Sequence, residues 1–73
     1  MKKRSLTLAG HKTSIALEEE FWLAVEAIAA EKHISVPALI ATIDEQRQAQ
    51  NLSSAVRVYV LTHFRNQSDS QNK

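Results

Sequence analysis

The sequence predicts a small, mainly α-helical domain with one short strand, stable only when it shares its core with another copy of itself. Three observations carry this expectation. The chain has 73 residues and no cysteine, so neither a disulfide nor a thiolate-bound metal can reinforce it. A domain of that size buries only about 60% of the surface its unfolded chain exposes, yet 44% of the residues are hydrophobic. Those hydrophobic residues recur at helical spacing over most of the chain and alternate over one short stretch near its start.

Residues 1–11 read as a basic N-terminal arm and extended segment, mobile over Met1 to Arg4 and extended from Ser5 to Ala9. Lys12 to Leu17 reads as the strand: Thr13, Ile15 and Leu17 share one parity, and Thr13-Ser14-Ile15 suits a strand by propensity. Gly10 stands where a bulge or bend changes which side faces the core.

A first helix is expected over Glu18 to Lys32. Glu18, Glu19 and Glu20 favour the positive end of its dipole, and Phe21, Val25 and Ile28 form its apolar stripe. Ser35 is the N-cap candidate of a second helix over Val36 to Gln48, with Pro37 tolerated in the first turn. A third element carries Leu52, Val56, Val60 and Phe64 four apart. Val56, Val58 and Val60 also alternate, but Ser53 or Ser54 as a cap and the run Leu61 to Phe64 favour a helix. The expected domain therefore spans 12–65. The polar residues 66–73 read as a disordered tail.

Catalysis is not expected. One glycine cannot build a phosphate-cradling loop or a nucleophile elbow. His11, His33 and His63 share no metal-ligand spacing, and the three clustered glutamates are explained by the helix dipole. No cofactor or metal is expected. The longest apolar run, Phe21 to Val25, is far short of the roughly 20 residues of a spanning helix, so no membrane contact and a cytoplasmic location are expected. Charge is the better clue. The net charge is only +1, but residues 1–17 hold Lys2, Lys3, Arg4 and Lys12 with no acid, and residues 18–31 hold Glu18, Glu19, Glu20, Glu26 and Glu31 with no lysine or arginine. A basic front end suits nucleic acid, and it also serves simply to keep a chain soluble.

Thr13-Ser14-Ile15-Ala16-Leu17-Glu18-Glu19-Glu20-Phe21-Trp22 resembles the strand and first-helix start of the ribbon-helix-helix family of bacterial DNA-binding proteins, the group of the Arc and MetJ repressors. Ala29-Ala30-Glu31-Lys32-His33-Ile34-Ser35-Val36 resembles the family's inter-helix turn. The stretch from Lys3-Arg4-Ser5-Leu6 through Ala9-Gly10-His11-Lys12 to Asn51-Leu52-Ser53-Ser54 resembles a subgroup of small bacterial proteins with this domain. The resemblance implies an intertwined homodimer whose two strands, one from each chain, form an antiparallel ribbon, with the third helix as an addition that enlarges the dimer or builds a tetramer. An isolated strand would then find its mate only in a second chain.

The implied function is sequence-specific binding of duplex DNA, with the ribbon in the major groove, by a transcriptional regulator of the repressor type. With Ile15 and Leu17 inward, Lys12, Ser14 and Ala16 become the base-contacting candidates. By the same analogy Lys2, Lys3 and Arg4, together with Ser35 and Val36 at the second helix start, become the phosphate-contacting candidates. Two positions depart from the family pattern: Ala16 is short where many members carry a long polar side chain, and Pro37 removes a backbone donor. The alternative is an antitoxin-like module that dimerises and binds another protein.

Overall fold

The computed structural model describes residues 1–47 and 51–71, with side chains through residue 67. The chain opens with two strands, β1 (Lys2–Leu8) and β2 (His11–Leu17), followed by three helices, α1 (Glu19–Lys32), α2 (Val36–Gln46) and α3 (Leu52–Gln71).

The strands pair with each other. They form an antiparallel hairpin whose register runs from Leu8 opposite His11 to Lys2 opposite Leu17. This corrects two expectations: the first residues are a strand rather than a mobile arm, and the alternating segment finds its mate within its own chain. The physical reason lies in Ala9 and Gly10. Their φ angles are +52° and +83°, and positive φ at both central residues is what a two-residue hairpin turn of the I′ class requires. Gly10 reaches that region without steric cost, so it closes a hairpin rather than a bulge.

Alternation divides the hairpin into two faces. The inner face carries Leu6, Leu8, Ile15 and Leu17, of which Leu8, Ile15 and Leu17 are buried. The helices cover that face, with α2 against β1 and α3 against β2. Trp22, Val25 and Ile28 of α1, Leu39 and Ile40 of α2, and Val56 of α3 are all essentially inaccessible to solvent. Trp22 also ties the helices to the hairpin: its indole N–H donates to the Lys2 carbonyl at 2.8 Å.

The helix ends follow from local chemistry. The α1 helix ends at His33, which is left-handed (φ +58°) and donates its N–H to the Ala30 carbonyl, while Ile34 N–H reaches back to Ala29. Ser35 then caps α2, its Oγ accepting from Ala38 N–H at 3.1 Å. The expected end of this helix at Gln48 lies outside the described residues; the observed helix stops at Gln46. The α3 helix is capped not by Ser53 or Ser54 but by Asn51, whose Oδ1 accepts from Ser54 N–H at 2.8 Å. It also continues through Gln71, so residues 66–71 are helical rather than a disordered tail; 72–73 lie outside the described residues.

Candidate nucleic-acid interface

The outer face of the hairpin is polar and free of acid. On β1 it carries Lys3, Ser5 and Thr7, and on β2 Lys12, Ser14 and Ala16, in cross-strand pairs Lys3–Ala16, Ser5–Ser14 and Thr7–Lys12. All are solvent-exposed except Ala16, which is half-buried. The Ser5 and Ser14 hydroxyl oxygens lie 3.5 Å apart across the strands. Lys12, Ser14 and Ala16 thus stand on the outward face, as period-two alternation from Ile15 and Leu17 demands.

The remaining basic residues separate by parity. Lys3 is on this face, whereas Lys2 and Arg4 belong to the inner row. Arg4 is engaged there: its Nη2 lies 2.8 Å from Glu26 Oε2, and its guanidinium sits 4.5 Å over the Trp22 ring. Ser35 and Val36 belong to a different element, the first turn of α2. Pro37 has no N–H, and Ala38 and Leu39 donate to the Ser35 Oγ and carbonyl respectively. At the first helical position, the Val36 N–H is the amide left to face an anion.

The outer edge of β2 completes the geometry. From the closing Leu8–His11 pair, alternation of the ladder turns the backbone groups of Lys12, Ser14 and Ala16 away from β1. The start of α3 holds one of them, with Ser53 Oγ donating to the Ala16 carbonyl at 3.2 Å. A groove lined by Met1, Thr13, Ile15, Leu52, Ser53 and Arg57 runs beside this edge. Arg57 closes its far end: Nε and Nη2 bond the two carboxylate oxygens of Glu18 at 2.9 and 3.2 Å. That bidentate partner holds the Glu18 carboxyl below the ordinary glutamate value.

A family model described as a ribbon-helix-helix domain matches residues 1–64. The chain belongs to the ribbon-helix-helix family. No curated protein and no solved structure matches the chain. Ribbon-helix-helix domains as a family generally bind DNA and regulate transcription, typically dimerise and are typically non-enzymatic. The two-stranded antiparallel sheet followed by three helices is consistent with the ribbon-helix-helix fold. Among the described residues no group of three His, Cys, Asp or Glu side chains is placed to hold a metal, and no helix is long and apolar enough to cross a membrane.

Sequence reasoning missed Ser5 and Thr7. Part of the signal was present: from Ser5 to Leu8, hydroxyl residues alternate with the inward-facing Leu6 and Leu8. Taking Ala9-Gly10 as a hairpin turn would have placed both hydroxyls beside Lys12 and Ser14.

Proposed function

We propose that this ribbon-helix-helix domain is a sequence-specific transcriptional regulator that binds duplex DNA as a homodimer. The outer face of its hairpin enters the major groove. The observation that carries this reading is the exposed, acid-free row of Lys12 and Ser14 beside Lys3 and Ser5. A major groove about 12 Å wide admits a two-stranded β-ribbon and displays acceptors that lysine and serine can read. Lys12 donates to guanine acceptors or to phosphate, Ser14 donates or accepts, and Ala16 touches a thymine methyl. Lys3 and the α2 start at Ser35 and Val36 meet phosphates. Lys2, exposed on the inner row, adds to the surrounding positive field, and Arg4 joins it from its pair with Glu26.

Dimerisation in this reading uses the outer edge of β2. Two copies joined there form a four-stranded sheet, β1-β2 from one and β2-β1 from the other, and a marginal single core becomes part of a larger assembly. Binding to a random-sequence duplex, titrated with salt, tests the reading. Counterion release makes affinity fall steeply with salt, and Lys12→Ala, removing two cations per dimer, flattens the log–log slope by about 2 while weakening binding. Unchanged affinity in Lys12→Ala removes the hairpin as the binding surface.

A second reading, an antitoxin-like module that binds another protein, draws on the apolar residues α3 leaves in solvent, Val58, Leu61 and Phe64. A stoichiometric protein partner with no retained affinity for duplex DNA would favour it.

A further inference from the structure

We infer that β1 supplies a second, phosphate-facing row to the DNA interface, carried by the hydroxyls of Ser5 and Thr7. The inference rests on the proposed binding mode and adds residues that neither the sequence pattern nor the family assigns. Its basis is dimensional. Neighbouring strands lie about 4.8 Å apart, so in a sheet joined through the β2 edges the two outer β1 strands are separated by three spacings, about 14 Å. The major groove is about 12 Å wide. The central β2 pair fits inside it, and each β1 strand overlies a flanking sugar–phosphate backbone.

The chemistry of the row suits that position. Lys3, Ser5 and Thr7 each carry a donor, and neither they nor their cross-strand neighbours carry a carboxylate. Both hydroxyls are exposed. The contact between Ser5 Oγ and Ser14 Oγ, at 3.5 Å, is at the long limit of a hydrogen bond and leaves the Ser5 proton available to a charged acceptor. Thr7 is β-branched, so its hydroxyl is held in few rotamers and is lost to little entropy on binding. A short hydroxyl reaches phosphate only when the strand itself lies close to it, which is where the sheet width puts β1.

Two variants test this, with Lys12→Ala as the control, each checked for folding by circular dichroism, with affinity measured on a random-sequence duplex and preference by selection from a randomised duplex pool. Thr7→Val keeps shape and β-propensity but removes the donor. It is expected to weaken all duplexes several-fold, with the salt slope and the selected sequence unchanged. Ser5→Lys adds one cation per subunit and is expected to steepen the salt slope by about 2 per dimer, again with the selected sequence unchanged. A changed selected sequence in either variant overturns the inference, because β1 then reads bases. Wild-type affinity and slope in both, with Lys12→Ala still impaired, also overturn it while leaving the proposed function standing. Absence of salt-dependent duplex binding by the wild-type protein ends both.

Discussion

Lys3 and Arg4 are adjacent in sequence, and the strand gives them opposite employment. Lys3 faces outward with nothing of opposite sign across from it, while Arg4 turns onto the Trp22 ring and Glu26. The Arg4–Glu26 pair is more than a third exposed on both sides, so its Coulombic worth is small; the guanidinium over a buried indole adds about 0.5–1 kcal/mol. A run of three basic residues could not reveal this division, because charge alone does not state parity. Glu18 makes the same point. The sequence placed it among glutamates serving the helix dipole, yet its side chain makes no cap bond and instead grips Arg57 from α3. Its folded pKa lies below the unfolded value, so the stability it contributes is present above the ordinary glutamate pKa of about 4.3 and is lost as pH falls through the lower, folded value. Thermal melts of the wild type and Glu18→Gln are expected to differ near neutral pH and to converge as the pH falls through the lowered folded value; a constant gap across that range would show that the carboxylate's charge is not what matters.

At the level of elements, the helices were readable and the hairpin was not. Phe21, Val25 and Ile28 recur at a period that only a helix can bury on one side, Leu52, Val56, Val60 and Phe64 lie four apart behind a polar cap, and Ser35 before Val36-Pro37 marks a helix start by its own hydrogen bond. The first strand lacked so plain a signal. Its inner row begins with Lys2 and Arg4, which look like an arm, and its turn has alanine where asparagine or aspartate usually announces a hairpin. Ala9 holds φ +52° without the local hydrogen bonding that makes asparagine comfortable there. Ala9→Asn is therefore expected to stabilise the protein by about 1 kcal/mol, raising Tm by roughly 4–8 °C. A lower Tm in that variant would mean that the turn does not adopt positive φ at this residue. The outward placement of Lys12, Ser14 and Ala16 was readable because Ile15 and Leu17 fix parity; Ser5 and Thr7 were not, because their strand was not recognised.

For the whole molecule, the question is what a second copy adds. The core is closed by residues from every element, and no buried side-chain polar atom among the described residues lacks a partner. In the proposed dimer the β2 edge is where a second copy joins. If two copies join there, Tm rises with protein concentration, as it does for any association that favours the folded state. Ser14→Pro removes an outward N–H that β1 does not use, so the hairpin survives while the edge is blocked. Its expected signature in sedimentation is a folded monomer whose Tm no longer depends on concentration; a dimer of unchanged mass would place the contact elsewhere. The hydroxyl of Ser53 on the Ala16 carbonyl then acquires a meaning beyond anchoring α3. In the proposed dimer it would work as an end-stop: an approaching strand that slid past Ala16 would have to displace it, so one alignment of the two copies would be favoured over its shifted neighbours. Under the proposed binding mode, the distance between the two outward rows, and with it the separation of repeated half-sites, would in that way be set by a serine that touches no base.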